Sequence, residues 1–241
     1  MDGRVNQSIQ SKVDAALRTP LRWLFAPRCV ACGDPGLPER DLCAACRDAL
    51  PWQGPACARC ALPLSNAGTC GHCHQHPPPL DGVIAAFDYA FPVDGLLPRL
   101  KFHADFAAGR VISQCLVQRL ADCPRPGAIV PLPLHPGRLR RRGYDQALEL
   151  AKPLARALRV PLRDDVLLRT RATAAQSTLD AAARQRNLRG AFRVAEGVAL
   201  PEHVTLFDDV MTTGATLHAA AAALRKAGAR RVDAWVCARV A

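Results

Sequence analysis

The stretch Val204-Thr-Leu-Phe-Asp-Asp-Val-Met-Thr-Thr-Gly-Ala-Thr216 decides the fold. Val204–Phe207 are strand formers, Asp208 and Asp209 follow them, and a loop of small and hydroxyl residues leads into an Ala/Leu run from Leu217 to Ala227. Strand, short loop and helix in that order are the unit of a mainly parallel α/β sheet. The loop N–H groups and the helix N-terminus face whatever lies beyond the strand, where the helix dipole favours negative charge. Hydroxyls of Thr212, Thr213 and Thr216 add donors to the same place. The arrangement suits a sugar phosphate. Asp208 and Asp209 either take two ribose hydroxyls or hold a Mg2+ that bridges them to a pyrophosphate. In the plainer reading the Asp pair only caps the helix, and three threonines around a glycine argue against that.

Outward from this stretch, the chain alternates strand and helix patterns. Val83–Tyr89, Ala128–Pro131, Val166–Leu168 and Val232–Val240 read as strands; Val93–Lys101, Phe106–Leu120 and Tyr144–Leu158 read as helices. In such a sheet a ligand lies beyond the carboxyl ends of the strands, where residues 208–216 would be. Pro131-Leu-Pro-Leu-His-Pro-Gly-Arg-Leu-Arg-Arg-Arg-Gly-Tyr-Asp-Gln146 carries Arg138, Arg140, Arg141 and Arg142 past another strand end. It reads as a loop flanked by Gly137 and Gly143, free to move as a lid, whose arginine forks clamp a pyrophosphate. A solvated basic loop is its bland alternative.

The N-terminal third is of another kind. Eight of the 11 cysteines form four C-x-x-C pairs: Cys29/Cys32, Cys43/Cys46, Cys57/Cys60 and Cys70/Cys73. Each pair offers two thiolates, and two pairs complete a tetrahedral Zn2+ site. Short gaps favour sequential pairing, 29/32 with 43/46 and 57/60 with 70/73, over an interleaved cross-brace. Two structural zinc ions follow. His72, His74 and His76 are alternative ligands but read better as solvated residues. All-thiolate sites leave no position for water, so no catalysis is assigned to them. Cys115, Cys123 and Cys237 read as buried core thiols. The stiff His76-Pro-Pro-Pro-Leu80 stretch reads as a boundary. The organisation expected is a lead over 1–28 with an apolar plug at Leu21–Phe25, a double zinc ribbon over 29–76, and an α/β domain over 81–241.

With 241 residues, nearly half of them hydrophobic, the chain has ample material for a core. No run approaches the ~18 apolar residues of a membrane span, and residues 1–20 lack the apolar region of a secretory signal. A cytoplasmic protein is expected. The net charge of +11 is uneven: residues 1–80 hold 8 Lys/Arg against 6 Asp/Glu, so the excess belongs to the remainder. Such a domain attracts polyphosphates or nucleic acid, and charge alone does not choose between them.

The 204–216 stretch resembles the signature of the type I phosphoribosyltransferases, which bind 5-phosphoribosyl-1-pyrophosphate (PRPP). Thr205 departs from it, standing where an aliphatic residue is expected. The whole order is similar to the ComF family (competence protein F, ComFC type, including GntX-like proteins). That order is four C-x-x-C knuckles, Pro-x-Pro with Arg-Gly-Tyr-x-Gln, Gln176-x-x-Leu179 with Arg184-x-x-x-Leu188, and Asp208–Thr216. The resemblance implies a double zinc ribbon ahead of a type I phosphoribosyltransferase-like domain, with helices on both sheet faces. It implies PRPP with Mg2+ as ligand, single-stranded DNA and other competence or DNA-uptake proteins as partners, and a role in uptake of transforming DNA. Carried over, Asp208 and Asp209 are the catalytic pair on the ribose, and Met211, Thr212, Thr213, Gly214, Ala215 and Thr216 hold the 5-phosphate. Lys101, Arg141 and Arg142 approach the pyrophosphate. Arg184, Asn187 and Arg189 order the crevice or form a solvated helix face. Family members usually have Asn at position 145, where this chain has Asp.

Three functions remain in play: transfer of the phosphoribosyl group to a nitrogen nucleophile, PRPP sensing or single-stranded DNA binding without turnover, and, weakest, a zinc-dependent transcription regulator. No base-recognition hood is legible. Aromatic residues are only 5% of the chain, leaving Trp23, Trp52, Tyr89 and Tyr144 as stacking candidates.

Overall fold

The computed structural model describes residues 27–37, 41–171 and 190–241. Leu21–Phe25 with Trp23, and Gln176, Leu179, Arg184, Asn187, Leu188 and Arg189, lie outside the described residues. The chain forms two compact units, Met1–Ala49 and Leu50–Ala241.

In the first unit, Cys29, Cys32, Cys43 and Cys46 gather beside the short helix α1 (Ala44–Asp48), and Leu42 is fully buried. The Cys43 sulfur caps α1 by accepting the Cys46 N–H.

The second unit opens with the other cysteine quartet and helix α2 (Gly71–Gln75). Next come β1 (Gly82–Asp88), α3 (Val93–His103), α4 (Phe106–Leu120), β2 (Ala128–Pro131), α5 (Pro136–Arg142) and α6 (Gln146–Leu158). The hairpin strands β3 (Leu167–Arg169) and β4 (Phe192–Val194), then β5 (His203–Met211), α7 (Ala215–Lys226) and β6 (Arg231–Arg239), complete it. The main sheet runs β1-β6-β5-β2, with every pairing parallel. Its strands are apolar on both sides, as a sheet covered on both faces requires. α7 and the β3–β4 hairpin cover one face, where Leu217, Ala220, Ala221 and Leu224 pack with Val204, Leu206, Val166 and Phe192. α3, α4 and α6 pack together, with α6 against β2 and β5 and α4 against β1. Helix α6 carries its apolar stripe at Ala147, Leu150, Ala151, Leu154, Ala155 and Leu158, all buried.

The outer edge of β1 is closed by the cysteine-bearing segment itself. Asp88 N–H donates to the Pro51 carbonyl, Gln53 N–H to the Ala86 carbonyl and Val83 N–H to the Ala58 carbonyl, each at 2.9 Å. Trp52 lies on Phe87 with ring centroids 4.6 Å apart. An exposed sheet edge is thereby capped, and the second quartet shares a unit with the sheet.

The structure departs from the sequence reading at several points, and β4 is a strand that the reading did not expect. β5 continues through the aspartates to Met211 instead of ending at Phe207, because its ladder to β6 persists from Asp208↔Val236 to Met211↔Arg239. The arginine stretch is a short helix, not a loop. His135 caps it through Nδ1, Pro136 opens it and Gly143 ends it in the left-handed region. Cys115 and Cys237 are buried, whereas Cys123, past the end of α4, is only half-buried.

Thr205 is 1% exposed, and its Oγ1 meets no hydrogen-bond partner among the described residues. A buried orphan hydroxyl costs about 1 kcal/mol or more. Thr205→Val keeps the shape and is expected to raise stability by roughly 1 kcal/mol, about 2–4 °C in Tm by scanning calorimetry. An unchanged or lower Tm would contradict this account.

Candidate functional site

The cysteine quartets are the first candidate. Cys29, Cys32, Cys43 and Cys46 form one cluster and Cys57, Cys60, Cys70 and Cys73 the other, with the sulfurs of each within 4.8 Å of one another. The sequential pairing is the one observed. Four thiolates at ~2.3 Å around a tetrahedral Zn2+ stand ~3.8 Å apart; Cys32 and Cys43 are 3.7 Å apart, and Cys60 and Cys70 3.8 Å. The donor sets fit two structural zinc ions. Within them, N–H groups point at sulfur: Cys46 to Cys43 at 3.4 Å, Cys70 to Cys57 at 3.3 Å and Cys73 to Cys70 at 3.5 Å. Burial works against ionisation of Cys29 and Cys57, yet such backbone donors hold both thiols at about 6. His72, His74 and His76 are exposed and belong to neither cluster.

The second candidate lies at the carboxyl end of β5. Strand alternation sends Asp208 toward the face covered by α7 and the hairpin, and Asp209 toward the face covered by α3, α4 and α6. On its face, Asp209 is 5% exposed and its Oδ2 lies 3.5 Å from Nζ of Lys101, on the last turn of α3. Asp208 keeps some surface exposure but is densely surrounded. Burial, then the Asp209 charge, pushes its carboxyl well above the ordinary value, with Lys101 opposing. Arg169, at the end of β3, senses Asp208, Asp145 and Arg138; desolvation lowers its pKa, with the Arg138 charge acting in the same direction. Its guanidinium stacks over Phe192 at 5.4 Å.

Met211–Thr216 follow as a turn into α7. The N–H groups of Thr212 and Gly214 meet no acceptor among the described residues, while Ala215 N–H donates to Thr213 Oγ1 at 3.4 Å. Gly214 caps α7 at φ +77°, and a Cβ there would lie 2.5 Å from Met211 Cε and 3.1 Å from His218 Nε2. The Met211 tip can swing aside, but the left-handed backbone remains unfavourable for any L side chain. Gly214→Ala is expected to cost about 1–2 kcal/mol, a fall of several degrees in a thermal melt. A wild-type melting point would show that the turn tolerates a Cβ.

Beside this end of the sheet, Lys101, Phe102, His103 and Ala104 of the α3 end and Arg138, Arg141, Arg142 and Tyr144 around α5 line a crevice of about 610 Å³. Arg142 donates to Gln146 Oε1 and lies 5.8 Å from the Phe102 ring. The Arg138 and Arg141 side chains meet no carboxylate among the described residues. Lys101, expected from the resemblance beside the pyrophosphate, thus joins the Asp pair to the arginine helix. Asp145, the unusual residue, is a buried cap: Oδ1 accepts the Ala147 and Leu148 N–H groups and Oδ2 the Leu134 N–H at 2.8 Å. Burial raises its pKa despite those donors. An Asn has only one acceptor oxygen to offer the same three N–H groups.

Sequence reading missed Arg169 and Phe102. Arg169 follows a strand pattern, the position at which α/β sheets present functional groups, and that was its signal. Phe102 had none. Among the stacking candidates, Trp52 packs on Phe87 and Tyr144 donates its hydroxyl to the Leu100 carbonyl; Tyr89 is partly exposed. Phe91, Phe102 and Phe106 are the more exposed aromatics, at 61%, 67% and 52%. Among the described residues no helix is long and apolar enough to cross a membrane.

Comparison with known proteins agrees with this architecture. Residues 20–74 match the model of the double zinc ribbon domain. DNA utilization protein YhgH of Escherichia coli K12 is 35% identical over 205 residues, covering 82% of this chain and 90% of that protein. Competence protein F of Haemophilus influenzae is 34% identical over 227 residues, 89% and 98% of the two chains. Competence protein ComFC of Streptococcus pneumoniae is 30% identical over 151 residues, 63% and 65%. Similarity of this extent, over the cysteine quartets and the α/β unit alike, assigns the chain to the ComF family of competence protein F and its relatives.

Proposed function

We propose that the larger unit binds PRPP at the carboxyl end of β5 and that the protein serves the handling of DNA taken up by the cell. One observation carries the ligand reading: the 3.5 Å contact of Lys101 with Asp209 joins a carboxylate pair suited to ribose to a crevice lined by Arg138, Arg141 and Arg142. In this reading Asp208 and Asp209 accept the ribose hydroxyls, and the N–H groups and hydroxyls of residues 211–216 hold the 5-phosphate. Lys101 and Arg141 take the pyrophosphate. Asp208 and Asp209 would hold Mg2+ together with the ligand's own oxygens, where it would neutralise charge on the leaving group. With a nitrogen nucleophile present, the bond from C1 to the pyrophosphate oxygen breaks, its electron pair leaves with pyrophosphate, and a C1–N bond forms. Lys101 and the arginines stabilise the departing charge while the Asp pair faces the positive charge developing on the ribose.

Calorimetric titration of PRPP with Mg2+ into the zinc-loaded protein tests the binding step, with free pyrophosphate as competitor. Saturable, pyrophosphate-sensitive binding is expected; absence of binding would end this reading. Pyrophosphate release in the presence of nucleobases separates transfer from sensing.

A second reading, single-stranded DNA binding, draws on a separate observation. Exposed Phe102 and Phe106 flank the arginine-lined crevice, with Phe106 5.2 Å from the Tyr144 ring. Aromatic faces interleaved with cations suit unpaired bases and backbone phosphates. The name of the Escherichia coli relative, DNA utilization protein, supports a link to DNA. Fluorescence anisotropy with single-stranded and duplex oligonucleotides at two salt concentrations is the test. Preference for the single strand, weakened about tenfold in Phe102→Ala, is expected. Equal affinity for duplex, or no effect of the substitution, counts against it.

A further inference from the structure

Arg239 ends β6 and is 9% exposed. Its Nε donates to the Cys60 carbonyl at 2.9 Å, and its Nη1 donates to the Met211 carbonyl at 3.3 Å and to the Val240 carbonyl. Cys60 belongs to the second cysteine quartet, and Met211 opens the turn before α7. One buried guanidinium therefore spans a ligand of the second metal site and the root of the 211–216 loop. The Met211 carbonyl also accepts the Val240 N–H at 3.0 Å, so two donors fix it toward β6. Because the peptide is trans and planar, the Thr212 N–H is then turned the opposite way, away from β6. On the cysteine side, Gln53 Nε2 holds the neighbouring Ala61 carbonyl at 2.9 Å, and Ala61 is fully buried at φ +53°. The Cys57–Cys60 knuckle is thus anchored at two consecutive carbonyls, one of them by Arg239.

We propose that Arg239 is a positioning residue that couples occupancy of the Cys57/Cys60/Cys70/Cys73 site to the affinity of the 211–216 loop for the phosphate end of its ligand. The proposal rests on the PRPP reading above. While the knuckle wraps a metal, the Cys60 carbonyl stays where the guanidinium can reach both it and Met211. When the metal leaves, or the thiolates are oxidised, Cys60 shifts, the guanidinium loses an anchor and the Met211–Thr212 peptide is no longer held. Ligand affinity falls. Because such coupling is reciprocal, ligand binding in turn retains the metal.

The test uses the full-length zinc-loaded protein with two measurements: PRPP affinity by calorimetry with Mg2+, and the rate of zinc release to a chromogenic chelator. In the wild type, saturating PRPP is expected to slow release of one of the two zinc equivalents about tenfold, in the usual range for coupled sites. Arg239→Gln is expected to weaken PRPP about tenfold, to speed release of that same equivalent, and to make its release indifferent to PRPP. Arg239→Lys keeps the charge but places its donors on one nitrogen in place of the planar fork, and should behave like Arg239→Gln. A purely electrostatic role would instead be rescued by Lys. Lys101→Ala should weaken PRPP while leaving zinc release without ligand unchanged. Release rates insensitive to PRPP in a wild type that binds it would overturn the coupling alone, and so would wild-type affinity in Arg239→Gln. A wild type that does not bind PRPP overturns both readings. The wild-type comparison stands even if an Arg239 variant fails to fold.

Discussion

Replacing Asp208 and Asp209 together by asparagine is expected to weaken PRPP binding at least a hundredfold and to leave the protein more stable than the wild type. The loss follows from chemistry: two carboxylates make charge-assisted bonds to hydroxyls and bind a divalent ion, and two amides do neither well. A hundredfold corresponds to about 2.7 kcal/mol, which two such bonds readily supply. The gain follows from the environment of Asp208. Burial and the charge of Asp209 raise its carboxyl well above the ordinary value, so the native state holds that proton more tightly than the unfolded chain does. Its contribution to stability is therefore greatest below the unfolded pKa, near 4, and is lost as the pH rises through the folded pKa. Asparagine removes that loss, keeps an oxygen for the Asp209 N–H that Asp208 now accepts at 2.9 Å, and leaves Lys101 unpaired but partly solvated. A gain of roughly 1 kcal/mol, about 2–4 °C in Tm at neutral pH and less at acid pH, is the scale for relief of a strained site. Calorimetric titration and melts from pH 4 to 8 measure both. Affinity within threefold of the wild type would remove the pair from the ligand site, and a lower neutral-pH Tm would show that its burial is compensated.

What the sequence made legible follows from which forces are local. The strand–loop–helix at 204–216 and the four C-x-x-C pairs are local patterns, and each appears where its spacing puts it. The extension of β5 to Met211 is not local. Two aspartates read as the end of a strand, and only the β6 ladder through Arg239 keeps them in it. Helix α5 was legible in principle: His135, Pro136 and Gly143 are a cap, a first-turn proline and a left-handed stop, but the arginines drew the reading toward a loop. β4 is three residues long and takes its identity from pairing with β3, which no window of sequence displays. The site shows the same division. Asp208 and Asp209 announce themselves, whereas the positions of Lys101 and Arg169 beside them depend on how α3 and the hairpin pack on the sheet.

The same distinction between local pattern and tertiary setting makes the two metal sites unequal, and this yields the second large effect. Cys57→Ser is expected to lower the melting point of the larger unit by 10 °C or more, whereas Cys29→Ser should shift it by no more than about 1 °C. Alike in ligands and geometry, the quartets differ in what their knuckles hold. The first lies in the 1–49 unit. The second continues into residues 51–62, which hydrogen-bond along β1, cover its edge, seat Trp52 on Phe87 and receive the Gln53 and Arg239 side chains. Structural zinc contributes about 10–16 kcal/mol of apparent binding free energy to a small ribbon, a magnitude comparable with the whole stability of a domain. Without it the 57–73 segment keeps a small cluster of its cysteines with Leu62 and Leu64, and Ala61 and Cys60 against the main core, too little to stay folded. Its loss would bare the β1 edge and strip several main-chain bonds at once, a cost of several kcal/mol at about 1 kcal/mol each and hence a shift of 10 °C or more. Bared edges also pair between molecules, so Cys57→Ser should aggregate on heating where Cys29→Ser does not. Zinc content, calorimetric melts and light scattering of the two variants decide it. Equal destabilisation by both substitutions would mean that the second quartet supports the sheet no more than the first.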